Sequence, residues 1–369
     1  MIPSVILTAP IDIMTPIIKI VGDACNLRCR YCFYNANNQT TLHIMDMKLL
    51  ERFIGEYMAL FNGCLTFIWH GGEPLLAGLP FFESIIRFQQ QNIRTGHVIY
   101  NVVQTNATLV NNDWAEFFKL HDFRVGVSLD GTKESHNRFR TYNNGNGSFD
   151  DVMKGLEILR HYGIDPGVIQ TLTHDNCSRA TDDFNFFVSA GLGWGINTYL
   201  DGDASNPSMS DQNISNEELV SVIKTHIDLW LDQDISNLRI REIEDFIAGV
   251  LGKQAAGCTF NGTCTAYFLV EYNGEIYPCD RLSHQKDLLF GDIRYQSLQE
   301  ILNGSVRLSY AQAVNTLHSD CETCDWQYAC HNGCTHHRVG GIGSKYYYCE
   351  VRKAIFTYLS NKVDQALQH

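Results

Sequence analysis

The chain has 369 residues, 44% of them hydrophobic, which is enough to bury a large core spread over two or three structural units. A formal net charge of −13 leaves no excess of lysine and arginine to neutralise phosphates, so no large nucleic-acid interface is expected. The N-terminal segment lacks the charged region of a signal peptide, and no apolar run reaches membrane-spanning length. We therefore expect a cytoplasmic protein with no membrane contact that acts on a small molecule, a peptide or a protein.

Short β-type segments alternate with longer amphipathic segments from residue 17 onward. Six segments rich in valine, isoleucine, threonine and aromatic residues are predicted as strands: IIKIVG, LTFIWHGG, HVIYNVVQTN, FRVGVSLDG, PGVIQTLT and WGINTYL. Apolar residues three and four positions apart predict helices between them: MDMKLLERFIGEYMALF, LPFFESIIRFQQQ, NNDWAEFFKL, FDDVMKGLEILRHYG and CSRATDDFNFFVSAG. Six β-α alternations predict an α/β fold with a parallel sheet, open or curled into part of a barrel.

The composition of the sequence changes at Gly257, after two further helix-like segments, and becomes rich in cysteine. Eight of the thirteen cysteines lie between Cys258 and Cys349, and AYFLVEYNGEIYPC has an Asn-Gly pair typical of a hairpin turn. A last helix is predicted in EVRKAIFTYLSNKVDQAL. The predicted organisation is an α/β unit (1–235), a helical linker (236–256), a cysteine-rich domain (257–350) and a C-terminal helix (351–369).

The cysteines favour metal ligation over disulfide bonds, because the cytosol keeps thiols reduced. Cys25, Cys29 and Cys32 fall within CNLRCRYC, directly after the first predicted strand. Thiolates so closely spaced can converge on one inorganic centre, and three thiolates on a four-iron cluster leave one iron open to another ligand. A zinc site completed by a distant histidine or cysteine is the alternative.

The Cys-x3-Cys-x2-Cys spacing after a first strand resembles the radical S-adenosylmethionine (SAM) superfamily, whose fold is a partial (β/α)6 barrel of the TIM type. The resemblance implies that SAM chelates the open iron and that cluster reduction cleaves SAM to a 5'-deoxyadenosyl radical. A reductant such as a flavodoxin or ferredoxin is expected as the electron donor. Tyr31 occupies the aromatic position of the superfamily's loop, which makes it a candidate SAM-binding residue.

Polar motifs at the ends of the next strands match the superfamily in order: HGGEP, QTNATL, SLDG and, further on, HNRFR. The resemblance implies that the glycines of HGGEP let main-chain groups approach the methionyl end of SAM, that Glu73 accepts from its ammonium group and that Asp130 binds ribose hydroxyls. Singly, such motifs are ordinary turns, but the cysteine loop, HGGEP, QTNATL and SLDG together follow four successive strands, which favours a ligand site. The candidate SAM-binding residues in them are Gly71, Gly72, Glu73, Thr105, Asn106, Ser128, Asp130 and Arg140.

The C-terminal cysteines resemble the SPASM domain, down to NGEIYPC, which matches its G-x4-C element. Eight thiolates suffice for two fully ligated four-iron clusters, with structural zinc as the alternative. The resemblance implies that Cys258, Cys264, Cys279 and Cys334 hold the first auxiliary cluster, and Cys321, Cys324, Cys330 and Cys349 the second. The residues left over are predicted to be surface, structural or inert side chains: His318, His331, His336, His337, Cys64 and Cys177.

Three residues are predicted to act on the substrate. A carbon radical must lose one more electron and usually a proton to form a carbonyl or a new bond, and Asp280, next to Cys279, is the candidate base, with turn capping as its alternative. Asp280 and Tyr34 match active-site positions of anaerobic sulfatase-maturing enzymes. His70, in WHGGEPLLAG, departs from the glutamine that those enzymes carry in QGGEP.

Because of His70, the sequence favours a radical SAM/SPASM enzyme that oxidatively modifies or crosslinks a ribosomally made precursor peptide, with cyclophane formation as one form of that chemistry. The alternative is an anaerobic sulfatase maturase that makes formylglycine from a cysteine or serine side chain of a protein substrate. A non-catalytic iron-sulfur electron carrier is more remote, because it would need no SAM motifs.

Overall fold

The computed structural model describes residues 13–34, 41–201, 212–233, 238–283 and 285–367. Within these residues, nine strands form one sheet in the order β6-β5-β4-β3-β2-β1-β7-β8-β9. The strands are β1 (Thr15–Lys19), β2 (Cys64–His70), β3 (Val98–Thr105), β4 (Arg124–Ser128), β5 (Gly167–Leu172), β6 (Trp194–Thr198), β7 (Tyr267–Glu271), β8 (Glu275–Tyr277) and β9 (Gly291–Asp292). The boundary predicted between residues 235 and 236 lies outside the described residues, so the domain limits remain a prediction.

The α-helices of the described residues pack around this sheet and in the cysteine-rich part. They are α1 (Met47–Leu60), α2 (Leu79–Asn92), α3 (Asn112–Leu120), α4 (Lys133–Phe139), α5 (Phe149–His161), α6 (His174–Cys177), α7 (Ala180–Ser189), α8 (Asn216–Asp232), α9 (Arg241–Val250), α10 (Cys258–Asn261), α11 (Leu298–Leu302), α12 (Ser305–Asn315), α13 (Ser319–Glu322), α14 (Gln327–Cys330) and α15 (Cys349–Leu367). Among the described residues, no helix combines the length and the apolar character that a bilayer crossing requires.

The first six strands confirm the predicted α/β fold. They are parallel and adjacent in chain order, and helices connect them, which is the topology of a partial barrel. All six predicted strand segments are present. Because parallel strands end at the same edge of a sheet, the polar residues that follow β2, β3 and β4 are gathered at that edge.

Helix α1 shows why the amphipathic segments fold as predicted. The side chain of Asp46 caps the helix by accepting hydrogen bonds from the first-turn amides of Lys48 and Leu49, which otherwise have no partner inside the helix. On the inner face, Tyr57 is fully buried and packs edge-on against Phe67 of β2, with ring centres 5.0 Å apart. The apolar face therefore anchors the helix on the sheet.

One predicted helix is divided in the structure. The segment CSRATDDFNFFVSAG was predicted as continuous, but α6 begins earlier, at His174, and ends at Cys177, and α7 begins at Ala180. The Asn176 side chain fixes the start of α6, because it accepts from the Thr173 amide and donates to the Thr171 carbonyl oxygen, both at 2.8 Å.

The cysteine-rich part is joined to the barrel by strand pairing. Strands β7 and β8 form the predicted antiparallel hairpin, turning at Gly274, whose φ of 93° favours glycine. Strand β7 also pairs in parallel with β1, on the side opposite β2, and this pairing was not predicted. The barrel sheet is thus continued by the cysteine-rich segment.

Lys19 links these parts at the centre of the sheet. Its side chain is completely buried, and its Nζ donates to Asp23 Oδ1 at 2.6 Å and to Glu271 Oε1 at 2.8 Å. Asp23 lies two residues before the first cysteine, and Glu271 ends β7. One ammonium group therefore connects β1, the start of the cysteine loop and the hairpin.

We expect Lys19→Met to lower the free energy of unfolding by about 3–5 kcal/mol, because the substitution leaves two buried carboxylates without their cation. Lys133→Met is the matched control, since it removes an exposed ion pair with Asp150 and should cost only about 0–1 kcal/mol. Anaerobic chemical unfolding followed by circular dichroism measures both values. Equal losses in the two variants would contradict the assigned role of Lys19.

Candidate active site

A cavity of about 630 Å³ lies inside the partial barrel, and cysteines from both parts of the chain line it. The first predicted group is present in its wall: Cys25, Cys29 and Cys32. Four cysteines from the C-terminal part line the same cavity: Cys258, Cys264, Cys279 and Cys334. One continuous space therefore connects the predicted radical site with the predicted first auxiliary site.

The first cysteine group has the electrostatics of a metal site. Burial raises the pKa of the Cys25 thiol, and the nearby charges of Glu73, Cys29 and Cys32 raise it further. Burial also raises the pKa of Cys29 to about 12, against the lowering effect of Arg140. Metal-free thiols would stay protonated here, whereas a metal centre makes its coordinating thiols deprotonate. The three donors fit an iron-sulfur cluster.

The eight C-terminal cysteines separate into two groups of four. Burial raises the pKa of Cys258 to about 12, and Cys334 and Cys264 are its nearest like charges, so Cys334 lies with the first group. The other four line a second, smaller cavity: Cys321, Cys324, Cys330 and Cys349. Tyr346 and Arg352 line both cavities. Each group has the four thiols that a fully ligated cluster requires.

The Gly71-Gly72 pair packs against the cysteine loop. The Gly72 amide donates to Gly22 O at 2.9 Å, and the next amide donates to Ala24 O at 2.8 Å. A Cβ atom on Gly72 would lie 1.9 Å from Ala24 O, so no larger residue fits without moving the loop. The glycines thus position the backbone that carries the first cysteine.

Glu73 is completely buried and does not line the cavity. Its carboxylate accepts hydrogen bonds from the Leu75 amide, the Thr105 hydroxyl and the Asn106 amide, at 2.7–3.0 Å. Burial raises its pKa to about 7 in spite of these bonds. The Asn106 side chain does line the cavity, and its Nδ2 donates to Asn26 Oδ1 within the cysteine loop.

Asp130 is likewise buried and bonded to protein groups. Arg140 donates to both of its carboxylate oxygens at 3.0 and 3.1 Å, the Tyr31 hydroxyl donates to Oδ2 at 2.5 Å, and the Thr171 amide donates to Oδ1. Tyr31, Arg140 and Thr171 line the cavity, but Asp130 does not. Ser128 lines it too, and its hydroxyl accepts from Gln104.

The three predicted substrate-facing residues lie in the wall of the cavity. The Tyr34 hydroxyl is 3.5 Å from His70 Nδ1, which also accepts from the Gly71 amide at 2.7 Å. Burial lowers the pKa of His70, so the ring is neutral, and because Nδ1 accepts, its proton is on Nε2. Burial and the negative charge of Asp280 raise the pKa of the Tyr34 hydroxyl.

Asp280 is an ionised acceptor in the same wall. Burial opposes its charged form, but the pKa of Asp280 is below its usual range. A protonated His70 ring would lower it, and Arg281, a hydrogen bond from the Cys279 thiol at 3.0 Å and Lys19 lower it while His70 is neutral. Arg281 lies over the ring of Phe33, with 4.8 Å from the guanidinium carbon to the ring centre. This arrangement gives a carboxylate that can accept a proton beside a fixed cation.

Several residues of the cavity wall were missed by the sequence reading. Arg241 and Glu242 come from the segment predicted as a linker, and Glu242 accepts from the Ile196 amide of β6. His336, predicted to be a surface or structural residue, lines the cavity beside Arg281. Arg241 and Glu242 belong to no recognised motif. The only sequence signal for them is an adjacent arginine and glutamate at the start of a predicted helix.

An α/β barrel that brings three thiols and four thiols to one cavity defines a metalloenzyme of the cluster-binding class. The Radical SAM superfamily matches residues 19–176, and an iron-sulfur cluster-binding domain, SPASM, matches residues 258–325. The serine-type anaerobic sulfatase-maturating enzyme of Bacteroides thetaiotaomicron is 30% identical over 87% of this chain and 82% of its own. The cysteine-type anaerobic sulfatase-maturating enzyme of Clostridium perfringens is also 30% identical, and the match covers 93% of this chain and 95% of that enzyme.

Solved structures agree with these matches. The structure of native anSMEcpe with bound AdoMet and Cp18Cys peptide matches with a TM-score of 0.88 and 28% identity, and the match covers 96% of this chain and 99% of that chain. Streptococcus suis SuiB bound to precursor peptide SuiA has a TM-score of 0.67, covering 92% of this chain and 76% of its own. At 14% identity, SuiB shows the fold alone.

The chain belongs to the radical SAM superfamily and carries a C-terminal SPASM domain. It is an enzyme of radical redox chemistry, and its cofactors are SAM and three 4Fe-4S clusters. The comparisons support the sulfatase-maturase alternative better than the crosslinking interpretation that His70 suggested.

We expect Gly72→Ala to displace the cysteine loop, because the added Cβ overlaps Ala24 O. The iron content of the purified enzyme should then fall from about twelve to about eight per chain, since only the first cluster is lost. Gly167→Ala on β5 is the control, as no atom lies within 4 Å of its Cβ position. Unchanged iron in Gly72→Ala would show that the close packing does not position the first cluster.

Proposed function

We propose that this enzyme oxidises a cysteine or serine side chain of a peptide or protein substrate to formylglycine, the reaction of anaerobic sulfatase maturases. The single cavity that holds both cysteine groups, Tyr34, His70 and Asp280 carries the proposal. Similarity to serine-type and cysteine-type maturases over most of their length supports it. Both substrate types remain within the proposal.

The first cysteine group, Cys25, Cys29 and Cys32, is proposed to hold the cluster that leaves one iron open. The remaining ligands are proposed to divide as the cavities divide: Cys258, Cys264, Cys279 and Cys334 for the first auxiliary cluster, and Cys321, Cys324, Cys330 and Cys349 for the second. When bound, SAM and the clusters supply hydrogen-atom abstraction and an acceptor for the second electron.

We propose that some of the predicted SAM-binding residues contact SAM and that the others position them. Those that line the cavity are proposed to contact SAM directly: Tyr31, Gly71, Gly72, Thr105, Asn106, Ser128 and Arg140. Glu73 and Asp130 are proposed to act through neighbours, because their oxygens are bonded to Thr105, Asn106, Arg140 and Tyr31. Asp130 holds Arg140 and Tyr31 in place, which keeps a cation and a hydroxyl at the cavity wall.

Asp280 is proposed as the base. Its ionised carboxylate accepts the proton that the substrate carbon radical or its heteroatom loses as the second electron leaves, which yields a carbonyl from serine or a thiocarbonyl from cysteine. Water then replaces sulfur in the cysteine case, releasing hydrogen sulfide. The nearby positive charges of Arg281 and Lys19 keep Asp280 ionised until that step.

Tyr34 and His70 are proposed to position the substrate side chain. The neutral His70 ring can donate from Nε2 toward the cavity, and the Tyr34 hydroxyl fixes the ring through Nδ1. Lys19 Nζ lies over the face of the Tyr34 ring, 4.4 Å from the ring centre, and stabilises the position of that ring through a cation–π contact.

Oxidative modification or crosslinking of a ribosomally made precursor peptide is the second candidate. The specific observation in its favour is His70 in the HGGEP motif, where the resemblance to the maturases implies a glutamine. The same base, clusters and cavity serve that chemistry. A flavodoxin or ferredoxin as reductant, and a cytoplasmic location, remain predictions for either function.

Reduced, cluster-loaded enzyme with SAM is expected to convert the cysteine of a synthetic Cys-x-Pro-x-Arg peptide, or the serine of its serine counterpart, to the aldehyde formylglycine. Anaerobic incubation followed by mass spectrometry and aldehyde labelling measures this change. Formation of 5'-deoxyadenosine with both peptides unchanged would reject the maturase proposal. Loss of two hydrogens with sulfur retained and no aldehyde would support the crosslinking candidate.

Asp280→Asn should uncouple the two halves of the reaction. We expect 5'-deoxyadenosine formation to continue while product formation falls by about 100-fold or more, because the base is lost and the radical site is unchanged. Asp287→Asn, at an exposed aspartate of the same domain, is the control and should keep full activity. Product formation at the wild-type rate in Asp280→Asn would remove Asp280 as the base.

A further inference from the structure

Cys177, predicted to be an inert thiol, lies in a cluster of metal-ligating side chains outside the main cavity. His174 lies one turn earlier on α6, and Glu218 is in the first turn of α8. His174 Nδ1, Cys177 Sγ and a Glu218 carboxylate oxygen all lie within 4.8 Å of one another. His174 Nδ1 lies 2.8 Å from Glu218 Oε1, which is a hydrogen-bonding distance.

Local structure fixes these three groups before any ion binds. At the start of α6, Asn176 Oδ1 accepts from the Thr173 amide at 2.8 Å, and the spacing of three residues places His174 and Cys177 on one face. A capping box on α8 holds Glu218, whose Oε2 accepts from the Ser215 amide at 2.9 Å. Glu218 Oε1 is thereby directed toward His174.

The three side chains bring donor atoms that can bind a divalent cation close together. Burial raises the pKa of the Cys177 thiol to about 11, and the neighbouring Glu218 carboxylate adds to the effect. The thiol stays protonated and donates to the His174 carbonyl oxygen at 2.9 Å. Binding of a metal ion would release the thiol proton to solvent, and the ion would then be held by two negative groups, the Cys177 thiolate and the Glu218 carboxylate.

We propose that His174 Nδ1, Cys177 Sγ and Glu218 Oε1 bind one zinc ion, with water as the fourth ligand. Imidazole nitrogen, thiolate sulfur and carboxylate oxygen are the three donor types that zinc takes in proteins. Calcium and magnesium prefer sites made only of oxygen, and this cluster offers a single carboxylate. The second carboxylate oxygen, held by Ser215, orients the glutamate ligand.

The location gives the zinc ion a structural role at the rim of the active site. Strand β5, directly before α6, contributes Ile169 and Thr171 to the cavity wall, and α8 contributes Leu219 and Ile223. An ion bound by α6 and α8 together would link these two helices and stabilise the part of the cavity wall that β5 and α8 form. The inference does not rest on the proposed substrate.

Zinc K-edge X-ray absorption on the cluster-loaded enzyme tests the site, because the edge is specific to zinc and the iron clusters do not interfere. Enzyme depleted of loosely bound metal receives one equivalent of zinc chloride under anaerobic conditions. We expect a shell of one sulfur at about 2.3 Å and two or three nitrogen or oxygen atoms at about 2.0–2.1 Å. Iron should stay at about twelve per chain.

Cys177→Ser should lose the sulfur scatterer and weaken zinc binding by about 10-fold or more, with iron content and fold unchanged. His174→Ala should weaken zinc binding but keep the sulfur scatterer. Cys64→Ser is the matched control, since Cys64 is the other cysteine outside the cluster groups and belongs to no three-ligand group among the described residues. This control should bind zinc as the wild type does.

Three results would overturn the proposal. The first is a wild-type enzyme that takes up no zinc. The second is a zinc shell with no sulfur or with two or more sulfurs, which would place the ion at surface groups or at the cluster cysteines. The third is a Cys177→Ser variant that binds zinc with wild-type affinity.

Discussion

The buried Lys19 ammonium is the interaction on which the two halves of the active site depend. It joins Asp23, at the start of the cysteine loop, to Glu271, at the end of β7, and it supports the Tyr34 ring. The strand register places Lys19 beside Glu271 on one side and His70 on the other. Because buried carboxylates without a cation are costly, the pairing of β1 with β7 and the position of the loop are fixed together.

The resulting cavity is lined by many acidic groups, namely cysteine thiols and carboxylates. Seven cysteines line it, and burial raises the thiol pKa of Cys25, Cys29 and Cys258, so an apoprotein would keep them protonated. Cluster binding turns that unfavourable arrangement into a stable one. Asp280 differs, since neighbouring cationic groups keep it ionised without a metal, which suits a group that must accept a proton in each turnover.

Much of the fold and part of the site could be predicted from the sequence. The strand segments are local signals and were predicted correctly, and the cysteine spacings are local signals whose predicted groups lie together in the cavity walls. The pairing of β7 with β1 depends on contacts far apart in sequence, and so does the bonding of Glu73 and Asp130 to protein groups. The sequence analysis gave more weight to one residue, His70, than to the similarity to sulfatase maturases over most of the chain. It therefore favoured peptide modification, which the comparisons support less well than sulfatase maturation.

The central claim is that one cavity abstracts a hydrogen atom from a substrate side chain and completes its oxidation. The most direct measurement uses a Cys-x-Pro-x-Arg peptide deuterated at the cysteine β-carbon, with mass spectrometry of both 5'-deoxyadenosine and peptide. The account predicts one deuterium in 5'-deoxyadenosine for each aldehyde formed. Unlabelled 5'-deoxyadenosine, with no aldehyde in the peptide, would contradict it.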